Sequence, residues 1–184
     1  MSYPAAPEID PVEINYAHCQ VTEYLPIKAD DFFDWYLSQP MENFMPGSLI
    51  VPAISTTENV GAHSYGSVGS TRHIKFKNGK TAYERVFYTN FPRSYSYQPY
   101  AYMIPISLFS DYAKATMTVL PEGDGCKVVW DYAFHARNSL SLNFVRLFVK
   151  LEWTRYLSSA LELMRSRLEQ QTASAQGHGD GRVA

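Results

Sequence analysis

Two patterns of hydrophobic and polar positions divide this chain. Between Thr71 and Arg137 apolar side chains alternate with polar ones, as half-buried strands require. From Leu140 to Glu169 they recur at steps of three and four, the period of a helix. The seam there reads Leu142, Val145, Val149, Trp153, Tyr156, Ala160 and Leu163. A second apolar surface on its first half, Phe144, Leu147, Phe148 and Leu151, leaves a polar wedge only at Asn143, Arg146 and Lys150. So the first half of the helix has two faces to cover. Phe144, Leu147 and Leu151 are expected either to roof a cavity or to meet a partner subunit. Ser139 or Ser141 is expected to cap the helix, with ion pairs Glu152 to Arg155 and Glu162 to Arg165 along it.

Before this helix the pattern predicts a meander. Ile14 to Leu25 is a strand ending at Pro26. Asp30 and Asp31 open a short helix through Phe32 to Leu37, stopped by Pro40, and Met41 to Met45 makes a further turn. Leu49 to Ile54 reads as an edge strand interrupted by Pro52. Thr71 to Phe76 and Thr81 to Thr89 flank Asn78-Gly79, a hairpin dipeptide. A two-residue turn there would oppose Ile74 to Tyr83, His73 to Glu84 and Arg72 to Arg85, with both arginines on the apolar side and Glu84 on the other. Two like charges on that side would call for an anionic ligand group or a buried glutamate. Ser94 to Met103, Ser107 to Leu120 and Lys127 to Arg137 complete the sheet. Ala113, Ala115, Met117 and Val119 share one face, as do Val128, Trp130, Tyr132 and Phe134.

One strand, two short helices, about six more antiparallel strands and a long helix make an α+β fold: a curved sheet of about seven strands wrapped around the C-terminal helix. A cavity between sheet and helix is expected. The domain is read as residues 12–170, with 1–11 a disordered lead and 171–184 a disordered tail.

Composition changes this picture in few places. The formal net charge is -2 over 184 residues and no dense Lys/Arg run occurs, which argues against a nucleic-acid or anionic-membrane partner. No stretch reaches the ~20 apolar residues of a membrane span, and the N-terminus lacks the pattern of a signal peptide, so a cytoplasmic protein is expected. Cys19 and Cys126 match no metal or redox spacing and read as free thiols. Neither a metal cluster, a dinucleotide fingerprint nor a serine-hydrolase elbow is present, so no cofactor and no metal is expected. The 14 tyrosines suit a half-wet interior.

Several local stretches are similar to one superfamily, the START and polyketide-cyclase-like (SRPBCC) proteins, which share the helix-grip fold of plant pollen allergens. These are Leu25-Pro26-Ile27-Lys28-Ala29-Asp30-Asp31-Phe32-Phe33 after the first strand and Val68-Gly69 leading into the Asn78-Gly79 hairpin. Tyr83-Glu84-Arg85-Val86 followed by Pro92-Arg93, Asp111-Tyr112, and Gly125 to Trp130 complete the resemblance, which spans Ile14 to Gln170. It departs from the general pattern in the longer Ser48 to Gly66 region and in the tyrosine-rich run Tyr95 to Tyr102.

The resemblance implies a pocket for a hydrophobic or amphipathic molecule such as a lipid, sterol or polyketide. Expected to line it are Tyr83, Tyr97, Met117, Trp130 and Tyr132 from the sheet, and Phe144, Leu147 and Leu151 from the helix. Arg72 and Arg85 are the candidates for an acidic ligand head. Three functions are in keeping with it: a carrier or sensor of a hydrophobic small molecule, a polyketide cyclase or dehydratase, and a homodimeric interaction module. For the enzyme, His73 with Glu84 is the best acid-base pair by spacing, and Tyr83, Tyr97 or Tyr132 can polarise a carbonyl. The catalytic residues themselves are not readable.

Overall fold

A computed structural model describes residues 3–177, apart from 11, 13 and 62. Seven strands form one antiparallel sheet: β1 (Tyr16–Leu25), β2 (Ile54–Val60), β3 (Thr71–Phe76), β4 (Thr81–Asn90), β5 (Ser94–Tyr100), β6 (Ser110–Glu122) and β7 (Gly125–Ala136). Their order across the sheet is β1-β7-β6-β5-β4-β3-β2. Helix α1 (Phe32–Ser38) and a 3₁₀ turn (Met41–Asn43) come after β1. The C-terminal helix is continuous: α2 (Ser139–Phe148), a π-helical turn (Val149–Trp153) and α3 (Thr154–Gly177). This is the helix-grip arrangement expected from the sequence. The strand expected at Leu49 to Ile54 begins only at Ile54, because Pro46 and Pro52 keep the preceding segment out of the ladder.

Alternation decides which face is buried. Val128, Trp130, Tyr132 and Phe134 on β7, with Ala113, Ala115, Met117 and Val119 on β6, pack with Leu142, Val145 and Val149 of the helix in one core. The ladder slips by one residue at Ile54/Thr56, Val86/Tyr88 and Ser110/Tyr112. Such bulges increase local twist and bend the sheet towards the helix.

Asn138, rather than either serine, caps α2: its side-chain oxygen accepts the Ser141 N–H at 2.9 Å. In the π turn the Thr154 hydroxyl donates to the Val149 carbonyl at 2.8 Å. Beyond it Tyr156 and Ala160 are buried as expected, and a neighbouring row, Leu157, Leu161, Met164 and Leu168, is buried beside them. Leu163, expected in the seam, is 37% exposed. Arg165 pairs with Glu23 and Glu169. The helix runs past Gln170 to Gly177, and Gln171 Oε1 accepts the Trp35 indole N–H at 3.1 Å. Residues 178–184, the rest of the expected tail, lie outside the described residues.

The lead segment lies on the far face of the sheet. Tyr3 stacks on Tyr83, the Pro7 carbonyl accepts from Gln98 at 2.9 Å, and the Asp10 N–H donates to the Tyr112 hydroxyl at 2.8 Å. Under it Tyr16, Tyr100, Tyr112 and Ala133 form a second buried cluster. Much of the tyrosine excess sits here.

This packing can be tested at two glycines and two cysteines. At Gly47 the backbone has φ +89° and an added Cβ would lie 2.5 Å from the Ala53 nitrogen, whereas at Gly61, with φ +88°, it would meet nothing within 4 Å. In urea unfolding, Gly61→Ala should cost about 1 kcal/mol and Gly47→Ala about 3 kcal/mol. Both cysteines are free, and burial pushes the Cys19 and Cys126 thiols up to about 11. Unfolding returns them to about 8.5, so they favour the folded state below that pH and this contribution is lost as pH rises towards 11. A chromogenic disulfide reagent at pH ~8 should therefore label neither thiol until denaturant is added, then label both.

Candidate ligand cavity

The hairpin β3–β4 builds the polar end of the interior. Its loop has three residues, Lys77, Asn78 and Gly79: the Gly79 N–H donates to the Phe76 carbonyl at 3.0 Å and the Phe76 N–H to the Lys80 carbonyl at 2.9 Å. Gly79 takes φ +78°, the left-handed residue that closes such a turn. One residue more than the two expected moves the pairing by one position. Arg72 now faces Glu84, His73 faces Tyr83, Ile74 faces Ala82 and Thr71 faces Arg85. Because side chains alternate, that step exchanges the faces of all β4 residues.

The expected residues therefore separate. Arg72 points inward, but its charge is taken by Glu84: Nε donates to Oε2 at 2.8 Å and Nη2 lies 2.6 Å from the same oxygen. Both residues are buried, the guanidinium lies 4.1 Å from the centre of the Tyr65 ring, and the Tyr65 hydroxyl donates to Glu84 Oε2 at 3.2 Å. Burial opposes the Arg72 charge, but the Glu84 carboxylate more than offsets it and holds the arginine's pKa well above its usual value. All three contacts end on Oε2; Oε1 receives none of them.

Arg85 is on the far face, donating to Gln98 at 3.1 Å, so it does not share an anion site with Arg72. Tyr83 is there too, stacked on His73 at 4.6 Å between ring centres. The acid-base pair expected of His73 and Glu84 does not form, since the two lie on opposite faces.

Between sheet and helix lies a cavity of about 50 Å³. Tyr97, Trp130 and Tyr132 line it, as expected. Met117 is fully buried beside them without reaching its wall. The wall also includes Met41, Met45, Val51, Ile74, Phe76 and Ile104, with Trp153, Tyr156 and Leu157 from the helix. Among the described residues Glu84 is the only charged one in the lining. The Trp130 indole N–H donates to the Tyr97 hydroxyl at 3.1 Å, while Trp153 Nε1 is buried with no hydrogen-bond partner. Burial pushes the phenols of Tyr97 and Tyr132 well above their ordinary pKa, so both are neutral donors. Phe144, Leu147 and Leu151, expected as the roof, project from the other side of α2 and are 57%, 54% and 50% exposed.

Four residues of this wall, Glu84, Met41, Met45 and Trp153, were not expected in it, for two reasons. Glu84 was hidden by the turn length, and the others by the absence of any sequence signal that tells a cavity wall from a core.

The family described as polyketide cyclase / dehydrase and lipid transport matches residues 17–169. The chain belongs to this family. Norcoclaurine synthase from Thalictrum flavum, in a structure with dopamine and hydroxybenzaldehyde, is similar with a TM-score of 0.61 at 17% identity, covering 91% of this chain and 98% of that one. Ginseng major latex-like protein 151 from Panax ginseng gives 0.59 at 13%, over 83% and 97%. The protein named Ara h 8.0201 gives 0.58 at 13%, over 84% and 99%. At these identities the likeness shows the fold. No curated protein matches in sequence. Among the described residues no helix is long and apolar enough to cross a membrane, and no cluster of three metal-ligating side chains occurs.

The buried pair makes a sharp prediction. Arg72→Met alone leaves a buried carboxylate without its cation and should cost about 3–5 kcal/mol in urea unfolding, whereas Arg72→Met with Glu84→Leu should regain most of that stability.

Proposed function

We propose that this protein binds a small, largely apolar molecule with one hydrogen-bond donor and one acceptor, as a carrier or sensor of that ligand. The observation that carries this reading is an apolar cavity holding a single carboxylate, clamped by Arg72 on one oxygen only. Glu84 Oε1 accepts from the ligand, and the unpartnered Trp153 indole N–H donates to it. Trp130, Tyr132 and Phe134 supply the faces on which a flat ring packs. A cavity of about 50 Å³ is smaller than one of ~150 Å³ that takes benzene. Binding thus needs the wall to yield, and the flexible side chains of Met41 and Met45 and the Gly47 to Ala53 loop are the parts suited to it. This size favours small aromatics over long acyl chains. The dopamine and hydroxybenzaldehyde held by the norcoclaurine synthase structure are in keeping with that class.

An enzymatic reading of the same wall is favoured by one observation. Glu84 and Tyr97, a carboxylate and a neutral phenol, both line the cavity. Together they offer a proton acceptor and an oxyanion donor, the groups that a cyclisation with loss of water needs.

Indole fluorescence tests both, because Trp130 and Trp153 lie in the wall. Titration with 2-naphthol should change it, and 2-methoxynaphthalene, lacking the donor, should bind at least tenfold more weakly. The preference should vanish in the Arg72→Met, Glu84→Leu protein. Equal affinities in both proteins would refute the role of Glu84. Under the enzymatic reading Tyr97→Phe spares binding and abolishes turnover of a polyketide substrate.

A further inference from the structure

The cavity leaves the second apolar surface of α2 without a role. Leu140, Phe144, Leu147 and Leu151 recur at i, i+4, i+7 and i+11, and Leu140 is 80% exposed. Phe109 stacks on Phe144 at 4.9 Å, and a groove of about 260 Å³ runs from these side chains to Ile50 and Ile106. Leu49 and Leu108, next in chain to Ile50 and Phe109, are 96% and 72% exposed. Contiguous apolar surface of this kind marks a contact.

Charge decides with what. Among the described residues that line the groove Glu152 is the only charged one, and the helix beside it from 138 to 151 carries two cations, Arg146 and Lys150, and no carboxylate. Both are exposed and adjoin the apolar stripe. Glu152, at the edge of the groove, already accepts from the Ser48 hydroxyl and the Ile50 N–H. A two-fold dimer through this face would gather four cations, Arg146 and Lys150 from each copy, against two Glu152 carboxylates. A bilayer has the complementary order: hydrocarbon for the stripe, and anionic headgroups for the cations beside it.

We propose that this face docks on the surface of a lipid bilayer containing anionic lipids, with Leu140, Phe144, Leu147 and Leu151 at the acyl boundary and Arg146 and Lys150 among the headgroups. The formal net charge of -2 conceals this site, where two cations stand against the one carboxylate of Glu152. The groove and the cavity share a wall: Ile50 faces one and Val51 the other, as do Ile106 and Ile104, and Phe148 and Trp153. An apolar molecule leaving the bilayer thus has one layer of side chains to cross. The docking itself does not rest on what the cavity binds.

Flotation of the full chain with vesicles tests it, using phosphatidylcholine alone and phosphatidylcholine mixed with phosphatidylserine. Binding should favour the mixed vesicles. Arg146→Gln with Lys150→Gln should weaken it about 25-fold, about fivefold per cation. Phe144→Glu with Leu147→Glu should abolish it while leaving the near-ultraviolet dichroism of the folded protein unchanged. The proposal is overturned if neither vesicle binds, if both bind equally, or if binding survives the two glutamates. It is also overturned if sedimentation shows a dimer that Leu147→Glu dissolves, which would assign the face to a second copy. None of these failures touches the naphthol titration.

Discussion

Glu84 and Arg72 are two charges taken out of water together, and neither is tolerable inside without the other. They meet because the β3–β4 loop has three residues, which sets the register of that ladder. The same register sends Ile74, Phe76, Ala82 and Val86 inward and His73, Lys75, Tyr83 and Arg85 outward. The polar end of the cavity, the closure of its aromatic wall and the far-face tyrosine cluster all depend on it. A loop one residue shorter would bury Arg85 and expose Glu84, and the interior would hold unpaired cations.

How much of this was legible in the sequence depends on the length scale. Helix and strands were readable because their periods repeat over many residues: Val128, Trp130, Tyr132 and Phe134 admit one face, and Leu142, Val145 and Val149 one seam. The alternation from Thr71 to Phe76 marks a strand equally well in either register. What it cannot specify is its partner, since Asn-Gly serves loops of two and of three residues. That single ambiguity misplaced Tyr83, Arg85 and Glu84 together. Leu163 failed because, beyond Ala160, the buried row passes to Leu161, Met164 and Leu168 on the neighbouring stripe of the helix. Phe144, Leu147 and Leu151 were legible as a second apolar surface, but a pattern on one helix does not say what covers it.

The interior and the apolar surface are two sides of one thin wall. Val51, Ile104 and Trp153 form its inner side; Ile50, Ile106 and Phe148 its outer side. The π turn lies in this wall, where the Val149 carbonyl accepts from both the backbone N–H and the hydroxyl of Thr154. It is the part of the grip least committed to regular backbone hydrogen bonding. The loop carrying Val51 is hydrogen-bonded to the helix through the Glu152 carboxylate at Ser48 and Ile50.

β1 pairs along its whole length with β7, Tyr16 opposite His135 and Leu25 opposite Cys126. The first strand of this sheet to leave the ribosome thus waits for its last. Until β7 and the helix behind it are made, every earlier strand has an inner face with nothing to bury it. The β1–β7 pairing therefore carries the greatest loop-closure cost in the sheet. A ribosome stalled before Asn138 would hold a sheet without its grip, which is material for chaperones and not for ligand.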